Sequence, residues 1–198
     1  MKMGKDKLHI ILASKSERRK EILKREGFDF EVYVPHSEEK NIIGEKYSEE
    51  LVNECAREKA ENAYAELKGS RTFTPCDIIV SCDTVVVNDN TIIGKPKDKN
   101  DAIRILKSLS GRRHRVISAV CICKDGKCSV ENETTFVTFR KLSDEEIEKF
   151  VDDRKPYDKA GAYAVQDEKY RFAEKIEGSL DNVVGFPIEL FKKNLQNV

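Results

Sequence analysis

The amino-acid sequence predicts an α/β or α+β fold rather than a helical bundle or a β-sandwich. Short apolar and β-branched runs of strand length alternate along the chain with longer segments whose apolar residues recur every three or four positions. Hydrophobic residues make up 39% of the 198 positions and include 9 Phe and 6 Tyr, which is enough for an α/β core. A chain of this length buries roughly 70% of its unfolded surface, so it needs no disulfide or metal to fold.

The first quarter of the chain predicts strand, helix, strand and a long helix. Residues 8–13 are apolar and indicate a buried strand, after which Ser14 and Ser16 supply capping hydroxyls for a helix that ends at Gly27. Residues 28–34 alternate as a short strand. The longest helix is expected over residues 48–69, with its apolar side chains facing inward.

The middle of the chain predicts most of the sheet. Residues 78–87 are β-branched but interrupted by four polar or small residues at 81–84, and a turn then returns the chain through residues 92–93. A helix follows from Asp98 to Gly111. Two further strands, 116–123 and 129–139, flank an Asp-Gly pair that indicates a hairpin.

The last third begins with a capping box at residues 143–146, which predicts a helix. Residues 155–185 are rich in Gly, Asp and aromatic residues, so we expect a looped segment that forms part of a site. Pro187 opens a final helix. Because there is no linker, repeat or low-complexity tract, residues 1–198 are predicted to form a single domain.

Charge and hydropathy exclude several classes of partner. The chain has 36 basic and 36 acidic residues, so it has no general attraction for nucleic acid or an anionic membrane. The apolar stretch at residues 8–13 is too short for a signal sequence, and no run approaches the ~20 residues of a membrane span. We therefore expect a cytoplasmic protein whose six cysteines are reduced.

Three of the cysteines raise the alternative of a metal site. Cys121, Cys123 and Cys128 could bind zinc as thiolates. Their spacing departs from the usual zinc pairs, and no partner cluster follows. The sequence therefore disfavours a zinc site.

Residues 14–19, Ser-Lys-Ser-Glu-Arg-Arg, lie between a predicted buried strand and the start of a helix. Free backbone N–H groups at a helix N-terminus bind anions, and arginine forks match phosphate oxygens in pairs. The simpler interpretation is an ordinary capped helix with solvated arginines, and this stretch by itself favours that interpretation.

Asp83 is the strongest single candidate for chemistry. It interrupts a strand with three apolar residues on each side of the polar break, and a carboxylate there needs a partner or a cation. Mg²⁺ would meet this need and would bring substrate phosphates with it. A structural turn is the alternative. Lys95 before a proline, His114 in a basic turn and Gln166 after a Gly/Ala-rich stretch are each weaker candidates.

Together these segments resemble the Maf family of nucleotide pyrophosphatases over about residues 8–192. The resemblance rests on seven stretches that occur in the family's order and spacing: residues 12–19, 56–60, 82–86, 94–96, 109–114, 158–166 and 178–187. It implies a mixed twisted sheet with flanking helices and two lobes around a deep cleft, as in inosine triphosphate pyrophosphatases. It also implies hydrolysis of a nucleoside triphosphate to the monophosphate and pyrophosphate, with Mg²⁺, or Mn²⁺ or Co²⁺ in its place.

The resemblance also implies roles for particular residues. Asp83 matches the family's general base and Glu39 its acidic metal partner, with Lys95 as a third catalytic residue. The residues expected to bind substrate are Ser14, Ser16, Arg18, Arg19, Lys59, Thr84, Gln166 and Asn182.

Three positions separate the branches of the family. Arg18, Thr84 and Gln166 match the branch that acts on dTTP and UTP, whereas the 7-methyl-GTP branch tends to differ at all three. CTP or modified pyrimidine nucleotides are also expected to fit. Lys15 and Glu17 depart from the family's usual Gly and Pro, which bears on phosphate binding and not on the reaction class.

The sequence is also compatible with three other functions. A nucleotidyltransferase would use the same Mg²⁺ and basic residues but would need an acceptor. A nucleotide-binding regulator of cell division and septum formation would need little turnover, and the 7-methyl-GTP branch is a third alternative. The expected partner is a small-molecule nucleotide, and neither nucleic acid nor a membrane is expected to bind. The resemblance also implies a possible homodimer, which is common in the family.

Overall fold

A seven-stranded mixed sheet is the centre of the structure, which is a computed structural model describing residues 8–37 and 40–197. The strands are β1 (His9–Leu12), β2 (Phe30–Val32), β3 (Asp77–Asn88), β4 (Thr91–Ile93), β5 (Arg113–Lys124), β6 (Lys127–Phe139) and β7 (Ala173–Glu177). The helices are α1 (Glu17–Arg25), α2 (Glu49–Lys68), α3 (Lys99–Leu109), α4 (Asp144–Arg154), α5 (Leu180–Val184) and α6 (Ile188–Leu195), with a 3₁₀ turn at Ala160–Ala162.

The order of the strands is β2-β1-β3-β5-β6-β7, and β4 pairs with β3 beside this path. Strand β1 runs parallel to both β2 and β3. All the other pairs are antiparallel, including the long β3–β5 and β5–β6 pairs. Parallel neighbours need a crossover connection, which α1 and α2 supply, whereas the β5–β6 pair is closed by the predicted Asp-Gly hairpin.

Strand β3 divides the hydrophobic core into three clusters. Its odd-numbered residues Ile79, Val85 and Val87 pack with the inner side of α2. On the other face, residues 78, 80 and 82 pack with α1 and α6, while Val86 packs with α3 and α4. Side chains alternate along a strand, so Thr84 lies on this second face between the α1/α6 cluster and the α3/α4 cluster.

Three of the six described helices begin at a predicted side-chain cap. Ser48, Asp98 and Ser143 each accept a hydrogen bond from a backbone N–H three residues later, at 3.3, 2.8 and 3.2 Å respectively. The prediction was wrong at α1, where the side chain of Ser16 makes no capping hydrogen bond. Instead Ser14 Oγ accepts the N–H of Ser16 at 3.2 Å.

Two segments differ from the sequence-based prediction. The polar break in β3 does not interrupt the strand, because its cross-strand pairs continue through residues 81–84. Residues 155–185 are not wholly looped, because they contain β7 and α5. Neither element has a strong local signal. Strand β7 is a short edge strand of mostly polar residues, and helix α5 has only five residues.

One cysteine pair corrects the expectation of six free thiols. Cys123 and Cys128 face each other across the β5–β6 hairpin, with their Cα atoms 4.0 Å apart, and are joined by a disulfide. Cys121 is buried and not disulfide-bonded. Two of the three candidate zinc ligands are therefore used by the disulfide. No helix in the described part of the chain is long and apolar enough to cross a membrane.

A buried histidine stands in the cluster that α3 and α4 cover. His114 is 2% exposed, and its Nε2 lies 2.9 Å from the hydroxyl of Tyr163. Its ring also makes an edge contact with Phe139, while its Nδ1 has no hydrogen-bond partner. Burial lowers the pKa of His114 to about 4, so the ring is neutral in the folded protein at pH 7.

This histidine predicts a loss of stability in mild acid. The unfolded chain binds a proton at a pKa of 6.5, whereas the folded chain binds it only near pH 4. The stabilisation is therefore complete above pH 6.5 and is lost as the pH falls to about 4. We expect the free energy of unfolding, measured by urea titration, to fall by on the order of 3 kcal/mol in this window.

Two variants test the assignment. His114→Gln should flatten the pH dependence between 6.5 and 4, while His36→Gln, which changes an exposed histidine, should keep it. Equal slopes in the two variants would show that another group titrates.

Candidate active site

A cavity of about 760 Å³ opens between α1, α2 and the segment that follows α4. The structure brings together residues that lie up to 152 positions apart in sequence, from residue 14 to residue 166. Nine of the eleven predicted site residues line this cavity: Ser14, Ser16, Arg18, Arg19, Lys59, Asp83, Thr84, Lys95 and Gln166.

Strand β1 delivers the first wall of the cavity. It ends at Leu12, and the next residues lead into α1 with Ser14 buried and Ser16 half-buried. Since Ser16 leaves the first turn of α1 without a side-chain cap, backbone N–H groups of that turn stay available to an anion. The arrangement suits an anion, which the family resemblance implies for residues 14–19, although this stretch by itself favours an ordinary capped helix.

Arg19 is held in place by three neighbours. Its Nε donates to the carbonyl of Gly185 at 3.0 Å, its Nη1 to Ser14 Oγ at 3.1 Å, and its Nη2 to Thr84 Oγ1 at 3.3 Å. A guanidinium has five N–H groups, so two remain for ligand oxygens. The three bonds orient the side chain on the cavity wall before any ligand arrives.

Asp83 lies half-buried on β3 and forms an ion pair with α2. Lys59 Nζ is 2.5 Å from Asp83 Oδ1, and both side chains are less than one-fifth exposed. The ammonium provides the partner that a carboxylate in this strand requires. Asp83 thus points toward the cavity from the α2 side of the sheet, while Thr84 lies on the opposite side.

Helix α2 contributes a whole face to the cavity. Cys55, Glu58, Lys59 and Asn62 all line it, at the i, i+3, i+4, i+7 spacing of one helix face. The family resemblance implies a role for Lys59 alone, although the helical period of the sequence also places the other three on this face. Burial and the nearby Asp83 carboxylate raise the pKa of the Cys55 thiol to about 11, so it stays protonated at neutral pH.

The described lining of the cavity has an excess of positive charge. It contains seven basic side chains, Lys15, Arg18, Arg19, Lys40, Lys59, Lys95 and Lys159, and four acidic ones, Glu17, Glu58, Asp83 and Asp158. This excess sits in a chain whose formal net charge is zero. A concave wall with such a charge distribution concentrates polyanionic ligands.

The rim of the cavity joins α1 to the segment after α4. Arg18 Nη1 lies 3.4 Å from Asp158 Oδ2, and Lys159 Nζ lies 2.5 Å from the other oxygen of that carboxylate. Exposed pairs of this kind contribute little to stability. Their effect is to keep Arg18 directed across the cavity mouth toward the segment that contains Gln166.

The remaining two predicted site residues are Glu39 and Asn182. Glu39 lies outside the described residues. Asn182 is fully buried, and its Nδ2 is within 3.1 Å of Val116 O, Glu133 O and Thr135 Oγ1. In this structure Asn182 does not reach the cavity, because its amide nitrogen fastens the α5 turn to the sheet.

The donor set can accommodate a divalent cation. Asp83 and Glu58 both line the cavity, and Mg²⁺ in proteins commonly takes one or two carboxylates and completes its shell with substrate phosphates and water. Among the described residues no three His, Cys, Asp or Glu side chains group as a preformed metal site. The residues present therefore suit an ion that arrives with a phosphate ligand.

Comparison with known proteins identifies relatives over almost the full length of the chain. Residues 9–198 match the protein family described as Maf-like protein. A dTTP/UTP pyrophosphatase of Bdellovibrio bacteriovorus is 42% identical over 191 residues, covering 94% of this chain and 96% of its own. Another, from Thermococcus gammatolerans, is 43% identical over 184 residues, covering 93% and 94%.

Solved structures share the fold. The Staphylococcus aureus Ham1 protein has a TM-score of 0.52 and 14% identity, covering 96% of this chain and 98% of its own. A Coxiella burnetii HAM1 protein has the same TM-score at 13% identity, covering 96% and 100%. At this level of identity the likeness concerns the fold alone. The predicted mixed sheet with flanking helices around a cleft is confirmed.

Gly161 connects two segments of the cavity wall. Its N–H donates to the carbonyl of Gly94 at 3.0 Å, beside Lys95, and its φ is +72°. A Cβ at this position would lie 2.9 Å from Val86 Cγ2 and 3.1 Å from Tyr163 Cε1. Glycine both adopts this positive φ without strain and lacks the Cβ that would clash with Val86 and Tyr163.

A matched pair of substitutions tests this packing. Gly161→Ala should lower the free energy of unfolding by about 3 kcal/mol, from the left-handed backbone and the overpacking together. Gly27→Ala has a similar φ of +77° but nothing within 4 Å of the new Cβ, so we expect a loss of only about 1 kcal/mol. Urea titration measures both, and equal losses would contradict the steric argument.

Proposed function

Since this chain belongs to the Maf-like protein family, we propose that it is a nucleoside triphosphate pyrophosphatase that hydrolyses dTTP and UTP. The products are the nucleoside monophosphate and pyrophosphate, and the role is removal of unwanted nucleotides from the pool. The family resemblance predicted from the sequence motifs is confirmed by the match over residues 9–198. The observation that carries the proposal is the single cavity in which Asp83 faces an excess of basic side chains.

The phosphate chain is proposed to lie along the basic wall. Ser14, Ser16 and the first turn of α1 offer hydroxyl and N–H donors, and Arg19 offers its two remaining N–H groups. Lys95 and Lys59 add compact charges on the facing segments. These groups stabilise the negative charge that develops on the leaving pyrophosphate.

Asp83 is proposed to act as the general base. It accepts a proton from the water molecule that attacks the α-phosphorus. The bond between the α-phosphorus and the oxygen that bridges it to the β-phosphate breaks, and pyrophosphate leaves. The Lys59 ammonium at 2.5 Å fixes the orientation of the carboxylate. A bound divalent cation, with Mg²⁺ as the proposed ion and Mn²⁺ or Co²⁺ as substitutes, supplies charge neutralisation and lowers the pKa of a bound water. Asp83, with Glu39 as predicted from the resemblance, would hold it.

The pyrimidine preference is proposed to depend on the far wall of the cavity. Gln166 is exposed to the cavity and can offer an amide donor and acceptor to the edge of a base. Thr84 also lines the cavity, and its hydroxyl is within hydrogen-bond distance of Arg19, Ser118 and Gly185. Arg18 is held across the mouth by Asp158. CTP and modified pyrimidine triphosphates are included in the proposed range.

The alternatives raised by the sequence are not favoured. Each of them would also need a cavity that binds a nucleotide: a nucleotidyltransferase, a division regulator without turnover and a 7-methyl-GTP pyrophosphatase. The curated relatives that match over nine-tenths of the chain bear the name dTTP/UTP pyrophosphatase instead.

Location and assembly follow from the proposed substrate and family. We propose a cytoplasmic location, because nucleoside triphosphates are kept inside cells. A net charge of zero supports the absence of nucleic-acid and membrane partners. A homodimer is proposed on the family resemblance alone.

The first prediction concerns the substrate and products. Turnover of dTTP and UTP should release pyrophosphate and monophosphate, should exceed that of GTP and 7-methyl-GTP, and should collapse when a chelator removes divalent ions. A panel of triphosphates with separate assays for pyrophosphate and inorganic phosphate measures this. Release of diphosphate and inorganic phosphate would contradict the proposed bond cleavage, and a purine preference would contradict the proposed pocket.

The second prediction concerns the base. Asp83→Asn should retain the fold, because an amide can still accept the Lys59 hydrogen bond, but should lose at least about 100-fold in kcat. Asp89→Asn is the matched control, since Asp89 pairs with Arg112 outside the cavity. Near-normal turnover in Asp83→Asn would refute its role.

A further inference from the structure

Behind Arg19 lies a buried chain of hydroxyl and amide groups that the proposed reaction does not use. Thr84 Oγ1, which accepts from Arg19, is 2.9 Å from Ser118 Oγ on the neighbouring strand β5. Ser118 is fully buried, and its hydroxyl is 3.4 Å from the carbonyl of Asn182. The residue does not line the cavity.

The hydroxyl groups of this chain can all donate at once, whereas the side-chain oxygen of Asn182 is buried without a hydrogen-bond partner among the described residues. Arg19 can only donate, so Thr84 Oγ1 is an acceptor toward it. The Thr84 hydroxyl can then donate to Gly185 O, at 3.3 Å, or to Ser118 Oγ. In the second case Ser118 donates onward to Asn182 O. Either arrangement leaves no hydroxyl proton unpaired, as a fully buried position requires.

Asn182 fixes the far end of the same chain. Its Nδ2 bridges Val116 O on β5 to Glu133 O and Thr135 Oγ1 on β6. Its backbone N–H is capped by Ser179 Oγ at 3.1 Å. The α5 turn is thereby fastened to two strands, and this turn ends at Gly185.

Two of the three acceptors that hold Arg19 therefore depend on this chain. Gly185 O belongs to the turn that Asn182 fastens, and Thr84 Oγ1 is oriented by Ser118. We propose that Ser118, assisted by Asn182, is a positioning residue of the reaction that acts through Thr84 and Gly185 on the Arg19 guanidinium. The inference rests on the proposed function, in which Arg19 binds the phosphates.

The physical gain is pre-organisation of a flexible cation. A free arginine side chain samples many rotamers, and fixing it on the substrate costs binding energy. When three N–H groups are already bonded to protein, the remaining two are presented in one orientation, and displacements well under 1 Å matter for phosphate contacts. The chain through Ser118 supplies that support from the protein interior.

A double-mutant cycle tests the proposal. Ser118→Ala in the otherwise unchanged chain should lower kcat/KM for dTTP by about fivefold, the size of one net hydrogen bond. In an Arg19→Lys background, where no guanidinium is present to orient, the same change should alter kcat/KM by less than about twofold. Ser108→Ala, which removes a hydroxyl bonded within α3 outside the cavity, is the control and should leave kcat/KM unchanged.

A merely structural role for Ser118 predicts a different result. It would give the same fold-loss in both backgrounds, and that outcome, or no loss in either, overturns the proposal. Ser118→Cys, which keeps a donor but a weaker one, should show an intermediate loss and serves if the alanine variant does not fold.

Binding of pyrophosphate by calorimetry provides a readout that needs no turnover. Ser118→Ala should weaken pyrophosphate binding several-fold with Arg19 present and leave it unchanged with Arg19→Lys. Should the parent protein turn over no triphosphate, the proposed function fails, and this binding cycle still decides the inference by the same comparison.

Discussion

The structure depends on a carboxylate placed in the middle of a long, largely buried strand. Asp83 lies on β3 where pairing with β5 continues without a break, while β1 pairs with residues 77–80 and β4 with residues 86–88 on either side of it. The ammonium of Lys59, on α2, lies 2.5 Å from the Asp83 carboxylate and compensates for the burial of that charge. Together with the hydrophobic packing of α2 on the sheet, this ion pair places Cys55, Glu58 and Asn62 of the same helix face at the cavity.

A second constraint acts on the opposite face of β3. The helices on this face leave Thr84 between two hydrophobic clusters, and the C-terminal α5 turn reaches it from more than 100 residues away. Arg19 closes this contact by binding Ser14, Thr84 and Gly185 at once. The N-terminal, central and C-terminal parts of the chain therefore meet at one guanidinium, and the cavity forms around it.

Local signals in the sequence account for much of this arrangement. The caps at Ser48, Asp98 and Ser143, the Asp-Gly hairpin and the apolar run of β1 were all predicted, because each depends on residues close together in the chain. Strand β7 was missed, since a polar edge strand is stabilised by pairing with β6 and not by its own propensity. The disulfide was missed because it depends on the register of β5 with β6.

The site shows the same division between local and long-range information. Nine of its residues could be named from the sequence, Asp83 because a carboxylate in a buried strand needs a partner or a cation, and the others through the family resemblance. Asn182 could not be judged in this way, because whether an amide faces ligand or backbone depends on strand residues 66 and 49 positions distant. The sequence by itself determined the fold class, the helix ends and the types of reacting groups. Only the tertiary structure decided which of them point into the cavity and which, like Ser118 and Asn182, hold the others in place, because those contacts join elements that no local pattern relates.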